Sequence, residues 1–527
     1  MDEIDAIRAE GPLRRLFGPH LPARGSGHLW ARWIFLRALG AVFFSAFYSL
    51  AFQIHGLMGP HGILPAGEYL ATVARELGLL QGLWYAPSLL WLGAGDWSLT
   101  FLVAAGLAAS VLLFLNVWPR ATIAACGVLF LSFVSAAQDF SSYQSDGMLL
   151  EAALISLFLA PRGLRPGFGE AYPPSWAARF MLVWEWFRIY FESGVVKLAT
   201  GDPQWRALTA MDHYYENGPL PTWIGWYVQQ LPHWFHAVTA FLVLALELAV
   251  CWLAFLPRRA RLVCFGVVTP FQVGIILTAN YTFLNYLVLF LGVLLVDDRA
   301  FAALAPLARR VPARARAFFA PRAAPAPAPV ATWRVAAAAF VLVWVFYATV
   351  LEFPALPAPP GPLAAPAVAL EPFRVANPYH LFGSMTEARY EIEFQGSRDG
   401  AHWLAYPFRY KPQDPAKPPG LYAPYQPRFE WNLWFASLDA WEENPWVVRT
   451  EALLLERSPA VMRLFAGDPF AGGPPPRYVR SVNWLYRFTD LATKRTTGLW
   501  WAREDLGPFA PALERKPDGT IAAMPDE

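Results

Sequence analysis

Long apolar stretches dominate this sequence and restrict what it can fold into. A helix of about 20 apolar residues is long enough to cross the hydrocarbon core of a bilayer. Only 16% of the 527 residues are charged, against about 25% in soluble domains, and the mean hydropathy is +0.31. The sequence therefore predicts a polytopic α-helical membrane protein. The predicted crossings are 33–55, 98–118, 121–138, 147–161, 177–198, 236–256, 260–278, 281–297 and 333–352.

The arginines of the connecting segments change side with each predicted crossing. They are frequent in every second connection and scarce in the others, which contain only Arg75 and Arg206. Because arginine-rich loops stay in the cytoplasm, the pattern predicts about nine crossings, with the N-terminus inside and the C-terminus outside. The arginine-rich connections contain Arg8, Arg14, Arg15, Arg24, Arg120, Arg162, Arg165, Arg258, Arg259, Arg261, Arg299, Arg309, Arg310, Arg314, Arg316 and Arg322.

Composition divides the chain into four parts. Residues 1–32 form a basic cytoplasmic segment, and 33–352 form the transmembrane helical domain, hereafter the membrane half. Residues 353–370 are rich in Pro and Ala, as is 319–330, and both are expected to be extended linkers. Residues 371–527, hereafter the tail, are too polar to cross a membrane. They are predicted to form a soluble, extracytoplasmic, β-rich α+β domain.

Three segments of the tail show regular patterns. Residues 389–394 alternate, with apolar Tyr390, Ile392 and Phe394 on one face and two glutamates on the other, as in a half-buried strand. A turn follows, and 402–410 is predicted to be the returning strand. Residues 446–466 have the apolar spacing of a helix.

Ionisable side chains inside the predicted crossings are costly in hydrocarbon and mark structural or functional sites. Glu185, Arg188 and Glu192 are three and four residues apart, so they share a helix face and can pair. One interpretation is that these charges neutralise one another between packed helices. The other is a cavity open to the outside, with Lys197 as catalytic base and Glu192 and Asp146 as catalytic partners. The predicted intramembrane polar network comprises Glu151, Glu185, Arg188, Glu247, Gln272, Asn280 and Asn285.

The sequence contains no established catalytic or metal-binding motif. It has no G-x-S-x-G elbow, no H-E-x-x-H pair and no P-loop. We therefore expect no cofactor and no metal. Basic residues do not form a stripe, so no nucleic-acid partner is expected. The histidines of the outer connection, which have weak spacing for a metal site, are His213, His233 and His236. The cysteines, which all fall in apolar stretches and predict no disulfide, are Cys126, Cys251 and Cys264.

Tryptophans are frequent in the outer connection 199–235 and in the tail. In the connection they predict an aromatic belt or a re-entrant cap. In the tail most should belong to the core, yet so many indoles also suit a surface that binds an apolar protein or lipid. The candidates for client binding are Trp431, Trp434, Trp500 and Trp501.

Several long segments resemble signature segments of the lipase maturation factor family. The tail contributes NPYHLFGSMTEARYEIEFQGSRDGAHWLAYPFRYKP (377–412), YQPRFEWNLWFASL (425–438), NPWVVR (444–449) and TGLWWARE (497–504). The membrane half contributes YQSDGMLLEAALISLFLAP (143–161), FRIYFESGVVKL (187–198) and LTANYTFLNYLVL (277–289). The resemblance implies a non-enzymatic, membrane-anchored maturation factor. Its C-terminal domain would bind a secreted client, which is a lipase in the family.

Composition also bears on the cellular compartment. The high Ala, Arg and Pro content and the absence of cysteine from the tail predict a bacterial-type member. Its location would be the inner membrane, in contact with the lipid bilayer, with the tail in the periplasm. Relatives in eukaryotes belong to the endoplasmic reticulum membrane.

A shorter segment supports an alternative function. YFESGVVKLATGDPQW (190–205) resembles a stretch of vitamin K-dependent carboxylase-like (HTTM) membrane proteins, which implies Lys197 as the base of an enzyme acting on a quinone or lipid. The helix that carries a functional histidine in that family reads TPFQVGIILTAN (269–280) here, with Gln272 and no histidine.

Overall fold

The computed structural model describes residues 16–17, 27–303, 330–353 and 361–524. Within these residues a helix occupies each predicted crossing. The helices are α1 (Leu29–Met58), α2 (Asp96–Phe114), α3 (Pro119–Val134), α4 (Gln144–Leu159), α5 (Trp176–Ala199), α6 (His233–Leu248), α7 (Arg258–Thr278), α8 (Leu284–Gly292) and α9 (Thr332–Leu351).

Five helices among the described residues are long and apolar enough to cross a membrane: α1, α2, α6 with its 3-10 extension to Phe255, α7 and α9. Helices α3 and α8 are apolar but shorter, and α4 and α5 carry buried charges. The helical, membrane-type architecture is thereby confirmed.

The helices run between two distinct ends of the membrane half. At one end, the N–H groups that begin α1 donate to Asp298 at 2.9 and 3.1 Å, and Arg258 pairs with Asp297 at 2.5 Å. At the other end, the residues after α1 reach the tail, where Ser458 donates to the carbonyl of His61 at 2.8 Å. The arginine-bearing loops and the tail thus lie at opposite ends of α1.

Both long connections of the membrane half are helical in part. Residues 56–97 contain Ala66–Leu77 and Leu79–Tyr85, and residues 199–235 contain Pro203–Arg206, Met211–Asn217 and Trp223–Gln229. Short 3-10 helices lie at Leu89–Leu92, Gln138–Ser141, Val250–Phe255 and Val293–Leu295, and Asp298–Ala303 is a further short α-helix.

Of the two predictions for the connection 199–235, an aromatic belt or a re-entrant cap, the belt is wrong for half of the tryptophans. Trp205 and Trp226 are buried, whereas Trp223 and Trp234 are exposed. The Trp226 indole packs edge-on against Trp500 of the tail, with ring centroids 5.1 Å apart. The connection therefore contacts the tail.

The prediction of an extended linker over 353–370 is also wrong in its second half. Residues Gly361–Val368 form a helix that packs against α9. The Trp344 indole donates to the Pro366 carbonyl at 2.7 Å, and the Tyr347 hydroxyl donates to the Leu363 carbonyl at 2.9 Å. Residues 354–360, and 319–329 of the other predicted linker, lie outside the described residues.

The tail contains a six-stranded antiparallel sheet with helices packed against it. The strands follow the order β2-β1-β3-β5-β6, and β4 pairs with β3. Their bounds are β1 Arg389–Ser397, β2 Trp403–Ala405, β3 Tyr478–Phe488, β4 Trp501–Pro508, β5 Leu513–Arg515 and β6 Ile521–Ala523. The helices are α10 (Arg428–Ala436), α11 (Pro445–Leu455), α12 (Pro459–Met462) and α13 (Leu491–Thr497), with 3-10 turns at Glu371–Phe373 and Trp441–Glu443.

Two predicted elements of the tail are shorter than expected. The strand predicted over 402–410 ends at Ala405, two residues before Pro407, whose nitrogen cannot donate to a sheet. The helix predicted over 446–466 is interrupted before Pro459, because the proline nitrogen cannot donate a helical hydrogen bond either. It forms two helices, α11 and α12.

Strand β1 is buried on both faces, which corrects the prediction of a half-buried strand. Ile392 and Phe394 are in the apolar core, but Glu391 and Glu393 are also buried. The Glu391 carboxylate pairs with Lys411 at 2.8 Å and with Arg389 at 2.5 Å. Alternation of apolar and acidic residues cannot reveal that the acidic face is covered by basic partners.

The packing of α1 against α2 gives a direct test of the helical core. A Cβ atom added at Gly40 would lie 2.7 Å from the backbone nitrogen of Phe114, whereas one at Gly127 would lie 3.9 Å from the nearest atom. We expect Gly40→Ala to destabilise the protein by about 1–3 kcal/mol through overpacking. Gly127→Ala is the matched control and should leave stability nearly unchanged. Thermal unfolding in detergent measures both, and equal midpoints would contradict the close contact of α1 and α2.

Candidate functional site

The tail is held against the membrane half by a segment that precedes its sheet. Residues 377–386, hereafter the docking segment, lie along α5 and the start of the connection that follows it. Side chains of the membrane half contact its backbone almost residue by residue: Ser193 accepts from the N–H of Leu381 at 3.3 Å, and Thr200 donates to the carbonyl of Gly383 at 2.9 Å. The polar side chains of α5 thus bind a peptide backbone.

The first part of the docking segment completes a buried charge cluster. Arg188 pairs with Glu151 of α4 and donates to the carbonyl of Asn377 at 2.7 Å. The Tyr379 hydroxyl donates to Glu151 at 2.9 Å, and the Tyr379 N–H donates to Glu192 at 2.8 Å. All five side chains are buried, so the cluster is made of groups from both halves of the chain.

The second part of the docking segment contacts Lys197. The Lys197 ammonium lies 2.9 Å from a carboxylate oxygen of Glu247 on α6 and donates to the Leu381 carbonyl at 2.9 Å. It also lies 5.0 Å from the ring centroid of Trp205, whose indole donates to the Phe382 carbonyl at 3.0 Å. Lys197 is therefore occupied by a counterion, a carbonyl and an aromatic face.

A second buried ion pair joins the halves at α10. Arg428 donates to both carboxylate oxygens of Asp146, at 2.7 and 2.8 Å, and to the Phe140 carbonyl at 2.8 Å. Its guanidinium lies over the rings of Phe133 and Tyr143. Asp146 and Arg428 are completely buried. The bidentate geometry makes this pair specific as well as strong.

A third contact joins the turn before α8 to the loop before α10. The Asn280 side-chain oxygen accepts from the N–H groups of Tyr422 and Ala423 at 2.7 and 3.0 Å, and its amide donates to the Gly420 carbonyl at 2.9 Å. The Tyr286 hydroxyl donates to the carbonyl of Ala423 at 3.1 Å. Asn280 therefore recognises a loop of the tail.

The polar connection after α5 also contributes, at the start of the sheet. Glu216 accepts from the N–H of Phe488 at 2.5 Å, and Arg389 donates to the carbonyls of Glu216 and Pro219 at 2.9 and 3.0 Å. Burial raises the pKa of the Glu216 carboxyl, although the Phe488 N–H and the Arg389 charge oppose the shift. The connection and the sheet are thus fixed to each other.

The intramembrane residues predicted from the sequence are brought together in part. Glu151 neutralises Arg188, and Glu247 neutralises Lys197, as the interpretation of neutralising charges requires. The pairing expected within α5 is weak, since Arg188 and Glu192 are 3.8 Å apart. Glu185 is buried and makes no hydrogen bond to the described residues.

Catalytic partners for Lys197 are not assembled. Glu192 binds the N–H of Tyr379, and Asp146 binds Arg428, so neither proposed partner contacts the ammonium group. Nor do the described residues contain a group of three or more potential metal ligands. Of the histidines considered as metal ligands, His233 lies 2.9 Å from Asp212, and His236 is buried.

The four tryptophans predicted to bind a client differ in burial. Trp431 and Trp501 are buried, so their rings are not available on the surface. Trp500 is partly buried, and its ring is already in contact with Trp226 and with the ammonium group of Lys494, which lies 3.9 Å from the ring centroid. Trp434 is partly exposed and lies next to Phe435, whose side chain is 45% exposed.

Comparison with known proteins decides the family. A model of the lipase maturation factor transmembrane domain matches residues 30–303, and one of the lipase maturation factor C-terminal domain matches residues 375–511. The chain belongs to the lipase maturation factor family. The two matched regions are the two sides of the contact described above. The docking segment belongs to the second region, and its partners on α5 belong to the first.

The similarity to individual family members is nearly full-length. Lipase maturation factor 1 of Bos taurus is 33% identical over 523 residues, which cover 94% of this chain and 91% of the relative. Lipase maturation factor 1 of Homo sapiens is 31% identical with the same coverage. Lipase maturation factor 2 of Gallus gallus is 30% identical over 92% of this chain and 81% of the relative. No solved structure matches the chain.

Sequence reasoning missed the tail residues that complete the site: Asn377, Tyr379 and Arg428. All three lie in segments that carry the family resemblance, 377–412 and 425–438. A buried Arg in a tail helix has no periodicity that identifies its partner. One signal could have indicated them. The acidic residues of α4 have no basic residue within that helix, and the tail segments that resemble the family lie far along the chain.

The Asp146–Arg428 pair predicts a large difference between single and double variants. Arg428→Met should destabilise the protein by about 3–5 kcal/mol, because Asp146 is left buried without a counterion. The double variant Arg428→Met/Asp146→Leu should recover most of that loss. Arg449→Met is the control, because Arg449 also pairs the tail with the membrane half, through Glu68 at 3.3 Å, but at an exposed site. Thermal unfolding in detergent is the measurement, and a double variant no more stable than Arg428→Met would contradict this role.

The environment of Lys197 predicts a structural role that can be separated from catalysis. Lys197→Met should lower the thermal unfolding midpoint because Glu247 loses its counterion, and Lys197→Met/Glu247→Leu should restore much of it. The yield of a co-expressed, active lipase should fall and recover in parallel with stability. A double variant that is stable yet fully inactive would instead show that the ammonium group itself takes part in the activity.

Proposed function

We propose that this chain is a membrane-anchored maturation factor that holds secreted, lipase-like clients while they fold. The observation that carries the proposal is that the regions matched by the two family models contact each other at the docking segment. The tail is thereby fixed to the membrane half. The named relatives are lipase maturation factors. A client-binding surface that is anchored close to the bilayer is suited to bind a secreted protein as it leaves the membrane.

The proposed orientation places the N-terminus in the cytoplasm and the tail on the opposite side, after about nine crossings. Alternation of arginine-rich and arginine-poor connections supports it. So does the separation of Arg258 and Asp297 from the tail by the length of α1, because the tail and the arginine-rich loops are then on different sides. The composition supports a bacterial inner membrane, which would put the tail in the periplasm.

The proposed client surface centres on Trp434 and Phe435. Their rings are adjacent, with centroids 5.0 Å apart, and Phe435 is 45% exposed at the end of α10. Aromatic side chains are frequent anchors of protein interfaces. Helix α10 also carries Arg428, so the surface is attached rigidly to the ion pair with Asp146.

The enzymatic alternative has no support in the geometry. It requires a lysine that can accept a proton, but the Lys197 ammonium is fixed by Glu247 and by the carbonyl of Leu381. A structural role accounts for these contacts, because Glu247 is the counterion of Lys197 within the membrane half and the Leu381 carbonyl joins Lys197 to the tail.

The client surface can be tested by co-expression with a secreted lipase. We expect Trp434→Ser/Phe435→Ser to lower the yield of active lipase about tenfold or more, the effect of removing an interface anchor worth about 2 kcal/mol. The matched control is Leu506→Ser, because Leu506 is also 45% exposed but lies on β4.

Both variants should insert in the membrane and unfold at the temperature of the parent protein. Lipase activity is measured per amount of lipase secreted, and co-purification with the folding lipase gives the association directly. If the aromatic double variant matures the lipase as well as Leu506→Ser does, this surface does not bind the client.

A further inference from the structure

A large cavity lies in the membrane half beside the docking segment. Its volume is about 750 Å³, within the range of roughly 300–1,000 Å³ found for small-molecule sites. Helices α5, α6 and α7, the connection 199–235, the docking segment and α10 all contribute to its wall. The docked tail therefore forms part of the cavity wall.

The wall of the cavity is mainly apolar and aromatic. Val243 on α6, Phe271 and Ile275 on α7, and the rings of Tyr214 and Trp431 all line it. Among the described residues that line the cavity, Lys197 is the one lysine or arginine, and Glu247 neutralises it at 2.9 Å. Such a wall favours a hydrocarbon chain over a charged or highly polar ligand.

One side of the cavity reaches the surface between α6 and α7. Thr239 and Gly274 line the cavity, and both are partly or fully exposed. On the outer faces of the same two helices, Phe241 is 59% exposed and Val273 is 39% exposed. Because these are membrane-type helices with apolar outer faces, the occupant of the cavity can enter from the hydrocarbon of the bilayer.

Two buried donors at the wall call for an acceptor on the occupant. The Tyr190 hydroxyl donates to Gln272 at 2.6 Å, and Gln272 donates to the side-chain oxygen of Asn285 at 2.8 Å. This relay leaves the Asn285 Nδ2 group with no partner among the described residues, and the Trp431 indole N–H is in the same condition. Asn285 and Trp431 are 5% and 7% exposed, and buried donors are normally paired.

We infer that this cavity binds an acyl lipid from the bilayer. The hydrocarbon chain lies along the apolar wall, and its carbonyl oxygen accepts hydrogen bonds from Asn285 and Trp431. Binding involves no covalent step. Trp434 and Phe435 of the proposed client surface also line the cavity, but the occupancy of the cavity can be measured without any client.

The test uses the full-length protein in detergent and a photoactivatable lipid. The probe is 1-monopalmitoylglycerol with a diazirine in its acyl chain, and labelled peptides are identified by mass spectrometry. We expect saturable labelling of peptides from α6, α7 and α10. Unlabelled monopalmitoylglycerol should compete, and hexadecane, which has no carbonyl, should compete about tenfold less well. Palmitate and palmitoyl lysophosphatidylcholine, as further competitors, distinguish a free fatty acid from a phospholipid as the source.

A matched pair of glycines on α7 provides the decisive variants. Neither Gly274 nor Gly266 has an atom within 4 Å of a Cβ added there, so both accept a side chain, but only Gly274 lines the cavity. Gly274→Leu should lower saturable labelling at least about tenfold, and Gly266→Leu should leave it unchanged. Asn285→Leu should weaken competition by monopalmitoylglycerol but not by hexadecane.

Three results would overturn the inference. Labelling could be non-saturable or confined to outward-facing residues such as Phe241. Gly274→Leu and Gly266→Leu could be labelled alike. Finally, an apolar peptide could displace the probe where the acyl lipids do not, which would assign the cavity to a protein segment.

Discussion

The buried ion pair between Asp146 and Arg428 is the interaction on which the joining of the two halves depends. A carboxylate inside a membrane bundle is costly without a partner, and α4 has none of its own for Asp146. Arg428 supplies it from the tail and also donates to the Phe140 carbonyl. An ion pair of this kind stabilises only when its geometry is nearly ideal, so it selects one docked arrangement.

The docking segment and α5 satisfy each other's hydrogen-bonding groups. An extended segment outside a sheet has N–H and C=O groups without partners, and α5 has polar side chains without partners. Each supplies what the other lacks, as Glu192 does for the N–H of Tyr379 and Lys197 for the carbonyl of Leu381. The apolar core is likewise continuous, since Tyr379 and Ile392 belong to the same cluster as the residues of α1. The tail is therefore an integral part of the fold.

Much of this architecture was predictable because apolar length and charge act locally along the chain. Hydropathy located the helices, and alternation located β1. The spacing of Arg188 and Glu192 predicted a pairing that the structure weakens to 3.8 Å, because Glu151 of another helix lies closer to Arg188. Contacts between segments far apart in sequence leave no local pattern, which is why Asn377, Tyr379 and Arg428 were missed. The burial of Trp431 and Trp501 agrees with the expectation that most tail tryptophans belong to the core, but no local pattern separates these two from Trp434.

The distance along the chain between Asp146 and Arg428 has a consequence for biosynthesis. The two residues are 282 positions apart, and Asp146 is made first. At about 5–20 residues per second, roughly 15–60 s separate the synthesis of the acid from that of its partner. Throughout this interval α4 carries an unneutralised carboxylate, and α5 carries side chains that await the docking segment. A chain that ends before the tail therefore leaves Asp146 without a counterion, so the buried charges of the membrane half are fully paired only after the last third of the chain has been made.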